Sequence, residues 1–198
     1  MDKSPAEQIL NTAAKIFAEK GFVGGGVSLA EIANVSGVAI AVISERFGRV
    51  EMLYEATLEC QFGKYAAKMD AVFNNGGSPM EKVELFAKAM QDVHKQDPHF
   101  FPLFYRELLN PSPFFESVVV KYIRHVAYLS DNNNTKGIQK GQFKRGIHPA
   151  YATIFLAGMF HYYFLASRLA GSLLPPPDDE EYLSQALKLF LSGLKKEA

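Results

Sequence analysis

The sequence lacks the features that mark several protein classes. It contains a single cysteine, Cys60, which excludes an internal disulfide framework and suits a reducing cytoplasm. The 21 basic and 21 acidic side chains cancel, so no net charge attracts the chain to nucleic acid or to a membrane surface. No apolar run follows the charged residues Asp2, Lys3 and Glu7, and so no signal peptide is visible. These absences predict a cytoplasmic protein.

Motifs for catalysis and for metal binding are missing too. The five histidines show no metal-ligand spacing with cysteine or carboxylate residues. The three glycines at 24–26 are not followed by the Gly-Lys-Ser or Gly-Lys-Thr of a phosphate loop. Cys60 lies in an apolar helical pattern without a nearby basic motif, which indicates a packing role. We therefore expect neither an enzyme nor a bound metal or cofactor.

Helical patterns, by contrast, run through the whole chain. With 198 residues, 48% of them hydrophobic, the chain can bury a substantial core. Ser4 with Glu7, and Ser28 with Glu31, have the spacing of capping boxes, in which the two side chains bond backbone N–H groups at a helix start. Gly21 ends the first helix. The sequence predicts an all-α fold with three helices in about the first fifty residues.

Residues 28–47 carry the most specific signal. Leu29, Ile32 and Ala33 fall on one face of a short helix, and Gly37 permits a turn because glycine adopts positive φ at little steric cost. A second apolar stripe follows at Val38, Val42, Ile43 and Phe47. Two short helices joined by such a turn form the helix-turn-helix layout that places one helix in a DNA major groove.

This pattern resembles the N-terminal domain of the tetracycline-repressor (TetR) family. The resemblance covers about residues 5–58 and rests on Ile9-Leu10, Ala13-Ala14, Phe17-Ala18-Glu19-Lys20-Gly21-Phe22, Ser28, Glu31-Ile32-Ala33, Gly37-Val38, Phe47, Glu51 and Leu53. It implies an all-α homodimer with a helix-turn-helix DNA-binding domain in residues 1–50 and a helical effector-binding and dimerisation domain in residues 51–198. It also implies a transcriptional regulator, in most members a repressor, that releases a palindromic double-stranded DNA operator when a small molecule binds.

The second helix of this unit departs from the family pattern where DNA contacts are expected. Where the family usually has a serine or threonine cap, a polar residue, glycine, a threonine or serine, an aliphatic residue and tyrosine, this chain has Ala39, Ile40, Ala41, Val42, Ile43 and Ser44. Residues 1–54 carry five basic and six acidic side chains, whereas a DNA-binding face is usually basic. The DNA-contact residues we expect are Ser28, Ile40, Ala41, Val42, Ser44, Arg46 and Arg49. The alternative is a protein that kept the fold but exchanged DNA for a protein or small-molecule partner.

The middle of the chain also reads as helices separated by clear breaks. One long helix is predicted over about Glu51–Phe73, and Asn74–Gly77 ends it. Ser78 and Glu81 form a third capping box at the next helix start. Another helix begins near Phe114. The polar residues 130–134 are either a break in that helix or a poorly favoured end of it, and residues 135–147 are expected to form a loop or a frayed end.

Residues 150–167 carry no formal charge. They are either a membrane span or, as the soluble composition of the remainder favours, a helix buried partly in a core and partly in an interface. The last helix follows Pro175–Pro177 and begins with the acidic residues 178–181, while Lys195 and Lys196 complement the dipole at its end. The two helices either close a monomer core or form the interface of a homodimer. We favour the homodimer, because one DNA half-site is of little use alone.

A dense set of aromatic residues lies between these ends. Such a set is either ordinary core or the lining of a ligand cavity, which is typically apolar with a few polar groups. The candidate effector contacts are Phe100, Phe104, Tyr105, Tyr122, His125, Phe155, Met159 and Tyr162. The second interpretation implies a neutral small-molecule effector that is apolar or aromatic.

Overall fold

A computed structural model describes residues 4–22, 24, 26–173 and 179–195. These residues form nine α-helices and one π-helical segment, and the β pairing among them is an isolated bridge between Phe143 and Lys195. The elements are α1 (Pro5–Lys20), α2 (Leu29–Ser36), α3 (Ile40–Phe47), α4 (Val50–Phe73), α5 (Pro79–Gln96), α6 (Phe100–Leu109), the π-helical segment (Phe115–Val120), α7 (Lys121–Gln139), α8 (Pro149–Leu173) and α9 (Asp179–Leu194). The predicted all-α fold is confirmed. The described residues do not include Pro175–Pro177, Asp178 or Lys196, which are predicted to precede, begin and end the last helix.

Serine side chains cap the starts of α2 and α5. At α5 the Ser78 hydroxyl accepts from the Glu81 N–H (3.3 Å), and the Glu81 carboxylate accepts from the Ser78 N–H (2.7 Å), which is the reciprocal pair of a capping box. At α2 the Ser28 hydroxyl accepts from the Glu31 N–H (3.2 Å), while the Glu31 carboxylate pairs with Lys20 Nζ at 2.5 Å. Local sequence therefore determines where both helices begin.

The first of two compact units contains the described residues of Met1–Tyr65 together with Asp97–Ile123. It comprises α1 to α3, the first part of α4, α6 and the π-helical segment, and α6 packs on α1. Arg106 Nε donates to the Ala18 carbonyl (2.6 Å), and the same guanidinium donates to the Glu19 carbonyl. A side chain of α6 thus satisfies carbonyl groups at the end of α1, which local helix bonding leaves open.

A buried carboxylate joins α4 to α6 within this unit. Glu107 is 1% exposed and accepts hydrogen bonds from the Tyr54 hydroxyl (2.5 Å) and the Ser112 hydroxyl (2.9 Å). Burial, together with the adjacent carboxylate, raises the pKa of Tyr54, so its hydroxyl remains a donor. The Tyr54 ring stacks on Phe22 with centroids 4.5 Å apart. Tyr54 therefore contributes both packing and a charge-assisted hydrogen bond.

Replacing Tyr54 by phenylalanine is expected to lower the free energy of unfolding by about 2 kcal/mol, because the Glu107 carboxylate loses a donor inside the core while the ring stays. Urea unfolding measures the loss. Tyr122→Phe is the matched control, since its hydroxyl also donates to a glutamate, Glu59 (2.6 Å), whose side chain is 39% exposed and open to water. Equal losses in the two variants would mean that the burial of Glu107 adds nothing to the value of its hydrogen bond.

The second unit contains the described residues of Ala66–Gln96 and Arg124–Ala198. Within it α5 packs against α8 and α9. The boundaries between the two units fall within α4 and α7, and not after residue 50. The expected division into a DNA-binding domain (residues 1–50) and an effector-binding domain (residues 51–198) concerns function, and it stays a prediction.

Helix α7 runs without interruption through residues 130–134 and ends only at Gln139. The structure therefore contains neither the break nor the early helix end considered from the sequence, and residues 135–139 are helical. The cause is tertiary: Asn133 Nδ2 donates to the Pro79 carbonyl (2.9 Å), and Asn134 Nδ2 donates to the Pro149 carbonyl (3.1 Å). These buried amides bond distant backbone groups, which offsets their poor helix propensity.

A close approach to the helix backbone occurs at Gly137 on α7. A Cβ atom at this position would lie 2.2 Å from ring carbons of Phe143, which is 1% exposed. The segment that carries this ring is tied to α9, because the Lys144 N–H donates to the Leu194 carbonyl (2.9 Å). The ring therefore occupies the space that any side chain at position 137 would need.

Candidate nucleic-acid interface and effector residues

Helix α3 presents almost its whole surface to solvent. Ile43 is its buried side chain, whereas Ile40 is 49% and Val42 44% exposed. Ala41, Ser44, Glu45 and Arg46 are exposed as well. Gly37 ends α2 with a φ of 71°, the left-handed conformation that the turn into α3 requires. The expected DNA-contact residues of α3 thus lie together on one accessible helix.

The start of α3 has no side-chain cap. Ala39 occupies the cap position and makes no side-chain hydrogen bond there, as the loss of the family's serine or threonine predicts. Among the other expected contacts, Ser28 is exposed and already caps α2, and Arg49 is exposed with its Nε 3.8 Å from the Glu51 carboxylate. Arg46 projects from the last turn of α3, 5.9 Å from the centroid of the Phe47 ring.

Four of the candidate effector residues belong to the first unit. Phe100 and Phe104 are buried, 1% and 7% exposed, and their rings meet Phe62 of α4 at centroid distances of 5.1 and 5.8 Å. Tyr105 is half-buried near Phe101. The Tyr122 hydroxyl donates to Glu59, and although partial burial opposes the charged carboxylate, the hydrogen bonds from Tyr122 and Lys121 outweigh it and lower the pKa of Glu59. The structure brings Phe100 and Phe104 together on the inner side of α6.

The other four candidates belong to the second unit and lie mostly at its surface. His125 is exposed and contacts Asp70 (Nε2 to Oδ1, 2.9 Å). Phe155 is 63% and Tyr162 72% exposed, so in the single chain they face solvent rather than an interior cavity. Met159 is half-buried, and its carbonyl accepts from the Tyr182 hydroxyl (2.7 Å).

Helix α8 carries a continuous exposed apolar face. Its large exposed side chains follow helical spacing and are Tyr151, Ile154, Phe155, Tyr162 and Leu165. Gly158 lies on the same face, and a Cβ there would meet nothing within 4 Å. On α9, Leu189 is 69% exposed. Among the described residues, no helix combines the length and the apolarity that crossing a bilayer requires. We call the exposed apolar side of α8, formed by Tyr151, Ile154, Phe155, Gly158, Tyr162 and Leu165, the α8 face. It is the exposed side of the uncharged run of the sequence.

The buried imidazole of His161 on α8 is expected to make the free energy of unfolding depend on pH. Burial lowers the pKa of His161 to about 4, from an ordinary value of 6.5. The contribution of neutral His161 to stability is therefore fully present above pH 6.5 and is lost as the pH falls towards 4, because the unfolded chain binds a proton there that the folded chain does not bind. Urea unfolding at pH 7.5 and at pH 4.5 measures how much the free energy of unfolding decreases between the two. This decrease should be about 2 kcal/mol smaller in His161→Gln than in the wild type, whereas His148→Gln, at an exposed histidine, should not reduce it. A wild-type loss unchanged in His161→Gln would contradict this assignment.

Sequence reasoning did not find Arg106 or Glu107. Both belong to a short apolar helix between prolines. The partners that join them to α1 and α4, Ala18 for Arg106 and Tyr54 for Glu107, lie more than 50 positions away along the chain, so no local spacing identifies them.

Comparison with known proteins gives a fold but no sequence family. No protein-family model matches the chain, and no curated protein matches it significantly. The ketosteroid transcriptional regulator KstR2 of Mycobacterium tuberculosis superposes with a TM-score of 0.78 at 17% identity, covering 100% of this chain and 98% of that one. The TetR-family regulator PfmR of Thermus thermophilus superposes with a TM-score of 0.78 at 19% identity, covering 100% of both chains.

A third solved structure includes a ligand. The transcriptional regulator FadR of Bacillus subtilis, in complex with stearoyl-CoA, gives a TM-score of 0.76 at 20% identity, covering 94% of this chain and 97% of that one. These three structures are of transcriptional regulators. The chain has, along almost its whole length, the fold of the TetR-family transcriptional regulators.

Proposed function

We propose that this protein is a ligand-responsive, DNA-binding transcriptional regulator that represses its target genes in the cytoplasm as a homodimer. The observation that carries the proposal is α3: a helix exposed on nearly all sides, set behind a glycine turn, in a fold shared with transcriptional regulators. Ser28, Ser44, Arg46 and Arg49 would contact the DNA backbone, and Ala41 would allow close approach.

The α8 face supports the homodimer. Exposed apolar patches of this kind mark protein interfaces, and a twofold axis would let the same face of each protomer cover that of the other. Two copies of α3 would then be available for the two halves of a palindromic operator.

The aromatic residues of α6 support an effector that is neutral and apolar or aromatic. Phe100 and Phe104 pack on α4, so a molecule that separated these rings would displace α4 or α6. Because Arg106 of the same helix bonds the end of α1, such a displacement would reach the helix-turn-helix unit. The spacing of the two α3 helices would change, and the operator would be released. The stearoyl-CoA bound to FadR has an apolar acyl chain and an anionic CoA part, so it matches the apolar character of the proposed effector but not its neutrality.

Selection of genomic DNA fragments by the purified protein tests the proposal. Enrichment of a palindromic sequence supports the regulator. Random recovery even at low salt would refute DNA reading and favour the second candidate, a TetR-fold protein that binds a protein partner through α3. The exposed apolar side chains of Val35, Ile40 and Val42 are the observation that favours this second candidate.

Arg46→Ala is expected to weaken operator binding and to reduce the slope of log K against log salt by about one for each protomer, because a phosphate contact is lost. Titrations at several salt concentrations measure the slope. Arg124→Ala removes an exposed arginine from α7 and should leave the slope unchanged. If Arg46→Ala also left it unchanged, Arg46 would not be a phosphate contact.

A further inference from the structure

The first turn of α3 consists of aliphatic side chains only. Ile40, Ala41 and Val42 are all exposed, and none carries a hydrogen-bond donor or acceptor in its side chain. Arg46 follows one turn later and is exposed, so the apolar turn is adjacent to a cation suited to phosphate. In helix-turn-helix proteins the N-terminal residues of this helix reach the base edges. Under the proposed function, the part of α3 that would reach the bases is therefore the part without polar side-chain atoms.

The chemistry of the major groove limits what such a surface can recognise. Guanine, adenine and cytosine are read there through donors and acceptors that need a partner such as Arg, Asn or Glu. Thymine also presents its 5-methyl group, which an aliphatic side chain contacts without any hydrogen bond. An aliphatic turn leaves the polar edge groups of any base pair that it covers without partners, which is costly, and only an A·T pair offers a methyl contact in compensation.

We infer that α3 reads its operator through thymine 5-methyl groups, with Ile40 and Val42 as the specificity-determining residues. The inference rests on the proposed function and adds the base chemistry that this helix selects. It requires a half-site with thymine at the positions facing the first turn of α3.

Deoxyuridine substitution tests the inference directly, because it removes the methyl group and keeps base pairing. The probe is the duplex most enriched by the full-length protein in the selection, resynthesised with each half-site thymine replaced in turn by deoxyuridine. At one or two positions in each half-site we expect affinity to fall about fourfold per methyl group, the factor that corresponds to burying one methylene-sized group. Replacement outside the half-sites should have no effect.

Protein variants identify the side chains responsible. In Ile40→Ala and Val42→Ala the difference between the thymine and deoxyuridine duplexes should shrink, and both positions are exposed, so the fold should survive, as circular dichroism can verify. Leu109→Ala, at a leucine that is 87% exposed outside α3, should keep the full difference.

The outcomes separate this inference from the proposed function. Tight binding without any deoxyuridine effect would overturn the inference and leave the regulator intact. A deoxyuridine effect that persists in the Ile40→Ala, Val42→Ala double variant would also overturn it, because other residues would then read the methyl groups. If no duplex were enriched, both proposals would fall.

Discussion

Replacing Phe155 by glutamate is expected to convert the protein into a monomer and to abolish operator binding at concentrations that saturate the wild type. Phe155 is 63% exposed in the protomer and lies within the α8 face between Ile154 and Gly158. In a twofold interface the substitution acts twice, since each copy would bury an unpaired carboxylate among apolar groups. Loss of an aromatic anchor at such a place costs at least about 2 kcal/mol, and the buried charge adds to it, so the dissociation constant of the dimer should rise by about 100-fold or more.

Sedimentation equilibrium measures the oligomeric state, and a mobility shift with the selected operator measures binding. Tyr128→Glu is the matched control, because Tyr128 is 64% exposed on α7, outside the α8 face. It should remain a dimer and bind DNA. A Phe155→Glu protein that stayed dimeric would place the interface elsewhere. A monomer that still bound the operator with wild-type affinity would remove the link between dimerisation and DNA binding.

Replacing Gly137 by alanine is expected to lower the free energy of unfolding by about 3 kcal/mol, although alanine is the better helix former. The added methyl group would occupy the same space as the Phe143 ring, 2.2 Å from its carbons, and that buried ring cannot move into solvent without exposing its apolar surface. For a chain of this length such a loss lowers the melting temperature by roughly 6–12 °C.

Urea and thermal unfolding at fixed protein concentration measure the effect. Gly193→Ala is the control, because Gly193 lies in α9, is exposed, and a Cβ there would meet nothing within 4 Å. It should be neutral or stabilise the protein by up to about 1 kcal/mol through helix propensity. A Gly137→Ala protein as stable as the wild type would mean that the Phe143 segment repacks freely and does not hold α7 to α9. In a Phe143→Ala background the Gly137→Ala change should cost less than in the wild type if the clash is the cause of the loss.

The parts of the molecule that were predicted well are those governed by neighbours in the chain. The capping pair Ser78–Glu81 forms as expected, Gly37 turns the chain between α2 and α3, and the predicted long helix over about Glu51–Phe73 is observed as Val50–Phe73. Each depends on bonds within four residues or on the steric freedom of a single glycine. The aliphatic first turn of α3 is likewise evident from the sequence, and the structure adds that Ile40 and Val42 are exposed.

The candidate effector residues illustrate what composition leaves open. Phe100 packs inside the first unit, whereas Phe155 faces solvent on α8. The spacing of apolar residues could not predict this difference in burial, because both residues lie on strongly apolar helices. Which side of an apolar helix is covered depends on the elements that pack against it, and those come from distant parts of the chain.

By itself, then, the sequence determined the helical class, the helix-turn-helix unit and the aliphatic first turn of its second helix, since these follow from local spacing and side-chain chemistry. Only the tertiary structure decided that α7 continues through its asparagines, that Gly137 must lack a side chain, and that Arg106 and Glu107 hold α6 to α1 and α4. In each of these cases the deciding partner is remote along the chain or is fixed by tertiary packing. The free energy of burial and hydrogen bonding at such contacts outweighs the intrinsic preferences of the residues involved.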